Sequence, residues 1–456
     1  MKPVLALFLC GVCLTCAVRS GQPETVDELL PLYASVSFLD HGDFDIPVRD
    51  TFYPGFYVEG ADGRYYQKFG PGQAFVLAPF AAIGRAVTGA DASPAVRGRN
   101  ILQSALFFGM FVVPLTAVVF FLFCVDLGYS EKTSALAALS IMAATELLPY
   151  SRTLFGDLTC AFLGLSAFFL IATLKPDSTA RAAAAGLCVG LSILVRPVSV
   201  LFAPAFVLCL ILIWKRESFP IPVCRRHLMA AVVPAALLGS ALLAYNRHAF
   251  GSFFSSGYGS EMFQFDEPLW RGAWHLLFSF EKGFFIYSPV VLLSLLFWRH
   301  FHRAHPQVSL AILVYAGLYL IVYSGWYASS PGKELSYGQR FLLPVVPVAL
   351  LALPECLSRL RRNVWSIAAV LVLWVSFLVQ AAGCLQTGLA YRNWAAQFES
   401  EPSPLVGYVL LTVRDPATIR VWWWQSGALG RSAGVALVCL AVYFAVLSVR
   451  RNRAAG

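Results

Sequence analysis

The sequence predicts an all-α polytopic membrane protein with about 11 to 12 transmembrane helices and a long first extracytoplasmic loop. Of its 456 residues, 58% are hydrophobic and 13% are charged, whereas about a quarter of the residues in a soluble domain are charged. Apolar runs recur along the whole chain, and many of them are long enough to cross a bilayer as a helix. This composition excludes a soluble globular protein.

The candidate spans are distributed from the N terminus to the C terminus. They are predicted at residues 3–18, 101–125, 133–150, 158–174, 182–195, 198–214, 228–245, 283–298, 308–327, 341–353, 364–385 and 432–449. The first run, behind Lys2, is either a cleaved signal peptide or a short retained helix. Its weak cleavage pattern favours the retained helix.

Basic residues cluster in alternate loops and predict the orientation of the chain. Lysine and arginine are concentrated at 175–181, 215–226, 299–303, 359–362 and 450–453, and short loops rich in these residues face the cytoplasm. The outer loops are then 19–100, 246–282, 328–340 and 386–431, all within one integral-membrane domain over residues 1–456. The basic loops on the cytoplasmic side account for the net charge of +9, so the charge does not require a nucleic-acid partner.

Acidic residues are almost absent from the middle of the predicted spans. Glu146, near the outer end of its run, is the exception. A charge at mid-membrane costs about 2.5 to 3.5 kcal/mol on insertion scales and usually marks a transport path. The distribution therefore favours an enzyme that works at the outer membrane surface over a proton-coupled transporter.

Asp27 and Glu28 follow the first apolar run after only a few residues. A carboxylate at the membrane mouth is partly desolvated, which raises its pKa and makes it a better base. The alternative is a capping box, in which Thr25 and Glu28 cap a helix together.

Asp157 ends the outer turn that begins at Tyr150. It is either a second functional carboxylate or the N-cap of a helix that starts at Leu158. Asp43 and Asp45 form an Asp-Phe-Asp pattern, which holds a divalent metal in some proteins and consists of solvated loop acids in others. A divalent metal is therefore possible, and no other cofactor is indicated.

Tyr65, Tyr66 and Lys68 precede a Gly-Pro-Gly turn at 70–72. Aromatic faces suit a sugar ring, and a lysine suits a phosphate as a point charge. The alternative is an interfacial anchor made of tyrosine and lysine.

Three further residues are substrate-binding candidates in outer segments. Arg196 and Arg340 lie in short outer loops against the charge bias, so each requires an anionic partner, either a lipid phosphate or an acidic side chain. Ordinary contact with lipid headgroups is the alternative. Tyr258 belongs to a Gly-Tyr-Gly segment that either lines a substrate groove or folds as surface.

Taken in order, these segments resemble the GT-C membrane glycosyltransferases. The features are an acidic pair just outside the first helix, Tyr-Tyr-Gln-Lys-Phe-Gly-Pro-Gly at 65–72, Arg-Pro at 196–197, Tyr-Asn-Arg-His-Ala-Phe-Gly at 245–251 and Tyr-Gly-Gln-Arg-Phe-Leu-Leu-Pro at 337–344. The resemblance extends to about Leu353 and is to the branch of protein O-mannosyltransferases and the lipid A aminoarabinose transferase.

The resemblance implies transfer of a sugar, with inversion, from a polyprenyl-phosphate donor to an acceptor hydroxyl on a glycan, lipid or protein. It implies that Asp27 is the general base, supported by Glu28, that Asp157 is the acid of the second outer turn, and that Lys68 lies near the donor phosphate together with Arg340. The expected location is the bacterial inner membrane, with the active site on the periplasmic side. A transporter or flippase of lipid-linked sugars, or a silent protein that binds them, is the alternative.

Overall fold

The structure is a computed structural model that describes residues 2–47, 57–89, 91–326, 336–360, 364–397, 403–415, 419–421, 425 and 427–449. The predicted outer loops 328–340 and 386–431 lie partly outside these residues. Within them the chain is almost entirely helical, as predicted.

The helices follow the hydropathy pattern from end to end. They are α1 (Lys2–Val18), α2 (Leu30–His41), α3 (Gly72–Ala86), α4 (Pro94–Ala105), α5 (Phe108–Asp126), α6 (Glu131–Ala143), α7 (Leu147–Tyr150), α8 (Gly156–Ala172), α9 (Thr179–Val195), α10 (Ala203–Arg216), α11 (Ile221–Phe250), α12 (Leu269–Phe278), α13 (Phe284–Tyr287), α14 (Val290–Leu296), α15 (Trp298–Ala304), α16 (Pro306–Gly325), α17 (Val346–Ala349), α18 (Leu353–Ser358), α19 (Val364–Leu385), α20 (Gly388–Ala395), α21 (Pro404–Arg414) and α22 (Gly427–Val449). Short 3-10 helices occupy Asp27–Leu29, Pro197–Phe202, Gly259–Phe263, Arg340–Val345 and Leu350–Ala352.

The length and composition of these helices are those of an integral membrane protein. In the described part of the chain, six helices are long and apolar enough to cross a membrane, and five shorter apolar helices accompany them. The shorter ones include α1, α8 and α9, which the sequence also predicts as spans. The predicted fold class, an all-α polytopic membrane protein, is confirmed.

Three predicted spans are interrupted. The run 133–150 divides into α6 and α7 around residues 144–146. The run 283–298 divides at Ser288, because Pro289 disfavours helical backbone in the residue before it. The region 340–358 alternates short 3-10 and α segments around Pro344, Pro347 and Pro354, since each proline removes a backbone donor.

The described residues divide into two compact units. The first unit comprises Met1–Gln22, Gly109–Arg152 and Asp266–Gly456, and the second comprises Pro23–Phe108 and Thr153–Phe265. In the first unit, α1 packs on α22 and α6, and α12 packs on α16. In the second, α9 packs on both α11 and α8, and α3 packs on α2, α4 and α9.

A small hairpin supplies the only strands among the described residues. β1 (Tyr57–Glu59) pairs antiparallel with β2 (Tyr65–Gln67). β2 leads through the Gly-Pro-Gly turn into α3, so the turn carries the chain from the hairpin onto the helices of the second unit.

Two glycines of this turn allow close backbone contact with the end of α9. A Cβ on Gly70 would lie 2.2 Å from the Leu194 carbonyl oxygen, and a Cβ on Gly72 would lie 2.5 Å from the Val195 nitrogen. Both distances are too short for real atoms. The absence of side chains therefore lets the hairpin and α3 approach the residue that follows α9, Arg196.

We expect Gly72→Ala to destabilise the protein by about 1 to 3 kcal/mol, because the added methyl forces backbone apart in a packed region. Gly98→Ala is the matched helical control, since a Cβ there meets nothing within 4 Å and alanine is the better helix former. Thermal unfolding of the purified proteins compares the two variants. Equal melting temperatures would contradict the close contact.

Candidate active site

Asp27 and Glu28 form the start of a short 3-10 helix, Asp27–Leu29, that leads into α2. Both side chains are buried. The Thr25 hydroxyl donates a hydrogen bond to the Asp27 carboxylate, and the Glu24 and Thr25 amides donate to Glu28 Oε1. The predicted capping box is thus half present: Glu28 accepts from Thr25, but the Thr25 hydroxyl bonds Asp27 instead of a helical N–H.

Glu28 links the acidic pair to the turn that carries Asp157. Its Oε2 accepts a hydrogen bond of 2.8 Å from the Leu154 amide. The Leu154 carbonyl accepts a 2.9 Å hydrogen bond from Gln73 Nε2. Gln73 Oε1 in turn accepts a 2.8 Å hydrogen bond from the Thr159 hydroxyl. Two side chains from the first outer loop and α3 therefore hold both polar backbone groups of Leu154.

Burial raises the pKa of Glu28 to about 8, although the hydrogen bond from the Leu154 amide opposes the rise. A buried carboxyl favours its neutral form because the low dielectric disfavours charge. The expectation of a raised pKa in the acidic pair thus holds at Glu28. A carboxyl that keeps its proton at neutral pH is a poor base, and the predicted supporting role of Glu28 beside Asp27 stays a prediction.

Asp157 lies in the first turn of α8, and its carboxylate forms a buried ion pair with Arg196. The helix begins at Gly156 and its N-cap residue is Phe155, so the alternative that Asp157 is the N-cap is wrong. Arg196 has the acidic partner that its position required. Its guanidinium carbon also lies 5.2 Å from the centre of the Phe69 ring.

Lys68 pairs with an acid that the sequence did not single out. Its Nζ lies 2.5 Å from Glu261 Oε2, on the 3-10 helix Gly259–Phe263. The Tyr258 ring lies 6.1 Å from the Phe69 ring. The Phe69 ring, directly after Lys68 in the chain, therefore lies beside both Tyr258 and Arg196.

Tyr65 and Tyr66 are part of the hairpin. Tyr66 is fully buried, and its hydroxyl donates a 2.8 Å hydrogen bond to Asp62. Tyr65 is half-buried and packs against Tyr57, with ring centres 5.4 Å apart. Tyr66 therefore packs inside the hairpin region, and the substrate roles of Tyr65 and Tyr66 stay predictions.

The two acids of the Asp-Phe-Asp pattern have different partners. Asp45 accepts hydrogen bonds from Ser37 and His41. Asp43 instead lies beside Asp62 and His248, and donor atoms of these three residues lie within 4.8 Å of one another. This group is the one in the described residues that can hold a metal ion.

Arg64 already supplies positive charge to the acids of this group. Its guanidinium lies 2.8 Å from Asp43 and 3.8 Å from Asp62. A divalent ion would therefore compete with Arg64 for both carboxylates.

Arg340 belongs to the first unit. It is buried, begins the 3-10 helix Arg340–Val345, and lies 5.3 Å from the centre of the Phe341 ring. The preceding amide, of Gln339, donates a 3.2 Å hydrogen bond to the Glu146 carboxylate. Glu146, the acid that the sequence placed near the outer end of a span, thus anchors the turn before Arg340. The substrate role of Arg340 stays a prediction.

Two residues of the site escaped sequence reasoning. Gln73 directly follows the Gly-Pro-Gly turn, and Glu261 follows the Gly-Tyr-Gly segment by two residues. Each adjoins a motif that the sequence analysis singled out. That proximity was the only signal, because their partners lie 81 and 193 residues away in the chain.

Comparison with known proteins shows a likeness of fold alone. No family model and no curated protein matches the chain. The crystal structure of ArnT from Cupriavidus metallidurans bound to undecaprenyl phosphate matches with a TM-score of 0.51 and 15% identity, over 98% of this chain and 76% of that one. The apo structure of ArnT matches over the same shares with a TM-score of 0.50 and 15% identity.

An archaeal protein is also similar. The oligosaccharyltransferase AglB from Archaeoglobus fulgidus, in complex with an inhibitory peptide and a dolichol-phosphate, has a TM-score of 0.48 and 14% identity, over 88% of this chain and 60% of that one. The likeness to ArnT confirms the GT-C fold that the sequence motifs predicted.

The raised pKa of Glu28 predicts how stability depends on pH. The folded value of about 8 lies above the ordinary value of 4.5, so the stabilising contribution is complete below pH 4.5 and is lost as pH rises through about 8. The slope between these values is about 1.4 kcal/mol per pH unit. We expect Glu28→Gln to flatten the fall in melting temperature between pH 5 and 8. Parallel curves for the two proteins would contradict a neutral Glu28.

Proposed function

We propose that the protein is a glycosyltransferase that moves a sugar from a polyprenyl-phosphate donor to an acceptor hydroxyl, with inversion at the anomeric carbon. The observation that carries the proposal is the hydrogen bond from the Leu154 amide to Glu28, which joins the Asp27–Glu28 pair to the turn that leads to Asp157. This link belongs to the second unit, which also contains Lys68 and Arg196.

Asp27 is the general base in this proposal. Its carboxylate takes the proton of the acceptor hydroxyl as the acceptor oxygen bonds to the anomeric carbon. The bond between that carbon and the phosphate oxygen breaks, and its electron pair leaves with the polyprenyl phosphate. A positioned base contributes about 10²- to 10⁴-fold to such a step.

The remaining charged groups divide the other tasks between them. Lys68 stabilises the charge that grows on the departing phosphate, as a fixed cation does best in a site with little water. Asp157 and Arg196 form a buried neutral pair that holds the end of α9 against the turn before α8. Glu28, neutral and hydrogen-bonded at both oxygens, keeps Asp27 in place.

The nature of the donor is supported by the fold and by the membrane. The matching ArnT structure was determined with undecaprenyl phosphate bound, and a donor that carries its own lipid reaches a membrane-embedded site without a nucleotide-binding domain. The lysine and arginine bias of the loops predicts that the segments carrying Asp27, Lys68 and Glu261 face the outer side of the membrane. We propose the periplasmic face of a bacterial inner membrane, with a glycan, lipid or protein as acceptor.

The test is transfer of label from radiolabelled polyprenyl-phosphate sugars into acceptors, in membranes that contain the wild type or Asp27→Asn. We expect label to be incorporated by the wild type and activity to fall by at least about 10²-fold in the variant, because the amide cannot accept the proton. Asp91→Asn, at an exposed acid of the same outer loop, is the control and should retain activity.

Two results would overturn the proposal. Full activity in Asp27→Asn would remove the assigned base. Absence of transfer from any donor, by a protein that is well inserted and folded, would favour the transporter or flippase of lipid-linked sugars, which a lipid-translocation assay detects directly.

A further inference from the structure

Lys68 and Arg196 each form an ion pair with an acid of the second unit, Glu261 and Asp157 respectively. The Asp157 and Arg196 side chains retain only 4% and 8% of their exposure. Glu261 retains 32%, and Lys68 13%. An incoming anion therefore has more access to the Lys68–Glu261 pair than to the Asp157–Arg196 pair.

The segment that carries Glu261 lies directly on the backbone of Lys68. A Cβ on Gly257 would lie 2.5 Å from the Lys68 Cα, so the glycine permits the contact. Glu261 follows four residues later, on the 3-10 helix Gly259–Phe263, and its carboxylate reaches the ammonium group at 2.5 Å. The backbone packing thus directs this carboxylate to this lysine.

Lys68 pairs with Glu261, and Arg196 pairs with Asp157. A phosphate that bound Lys68 with the Glu261 carboxylate in place would lie beside a like charge, which is unfavourable in a poorly solvated site. Binding is more favourable when this carboxylate leaves, and Glu261 is the more exposed of the two acids.

We infer that Glu261 is a specificity-determining residue of the donor site: its carboxylate occupies the Lys68 ammonium until the donor phosphate replaces it. This inference rests on the proposed function. Glu261 sets the affinity of the site for the phosphate, because each binding event must first break an existing ion pair. It also returns to Lys68 when the product leaves.

The released product also competes with Glu261 for Lys68. A donor phosphodiester carries one negative charge, whereas a phosphate monoester at neutral pH carries about 1.5 to 2. The released polyprenyl phosphate therefore binds Lys68 more strongly than the donor does by charge alone. Glu261, as a resident competitor, limits inhibition by this product.

The test is a double-mutant cycle on the binding of a short-chain prenyl monophosphate to the purified full-length protein. We expect Glu261→Gln, which keeps the shape of the side chain, to lower the Kd by about three- to tenfold, the range of a partly exposed ion pair. Lys68→Met should raise the Kd. In the double variant, Glu261→Gln should bring no gain over Lys68→Met alone.

Glu267→Gln is the matched control. Glu267 is an acid of the same predicted outer loop whose carboxylate lies 4.0 Å from Arg271, and its neutralisation should leave the Kd unchanged. Inorganic phosphate, tested in parallel, should displace the prenyl phosphate only at far higher concentration. Equal potency of inorganic phosphate would overturn the assignment to a lipid-linked donor.

The outcomes separate this inference from the proposed function. If the wild type binds prenyl phosphate and Lys68→Met weakens binding, but Glu261→Gln weakens it too or leaves it unchanged, the role of Glu261 is wrong and the donor site stands. If the wild type neither binds prenyl phosphate nor transfers sugar, both are wrong.

Discussion

The peptide group of Leu154 is the point on which the second-unit site depends. Its amide donates to Glu28 and its carbonyl accepts from Gln73, and the residue is fully buried. A buried polar group without a partner costs about 1 to 3 kcal/mol. The two side chains therefore fix the turn three residues before Asp157, and with it the start of α8.

This constraint explains why the site is assembled from distant parts of the chain. The first outer loop supplies the acidic pair, and α3 supplies Gln73. Close backbone contact at Gly70 and Gly72 brings α3 to the end of α9, where Arg196 meets Asp157. The glycines set the distance, and the buried hydrogen bonds and ion pair set the orientation.

Sequence reasoning found what depends on position in the membrane. Apolar run length predicted the spans, and proximity to span ends identified Asp27, Glu28 and Asp157. Even the need of Arg196 for an anionic partner followed from its place in an outer loop. The hydropathy pattern did not predict that Pro289 and the prolines of 340–358 divide spans into short segments, because hydropathy does not register the loss of a backbone donor.

Residues whose role is defined by a distant partner could not be found in this way. Glu261 and Gln73 are ordinary loop and helix residues until folding brings them to Lys68 and Leu154. Tyr66 was singled out by its motif, and only the structure shows that it is buried with its hydroxyl bonded to Asp62. Sequence patterns show which side chains could take part in binding or catalysis, but tertiary contacts determine which of these side chains already have a partner.

We propose that Lys68, with its partner Glu261, belongs to a phosphate-binding donor site in the second unit. An experimental structure of the protein in lipid nanodiscs with undecaprenyl phosphate tests it most directly. We expect the phosphate within hydrogen-bond distance of Lys68, with the Glu261 carboxylate displaced from the ammonium and the Asp157–Arg196 pair intact. A phosphate bound elsewhere, with the Lys68–Glu261 pair unbroken, would contradict it.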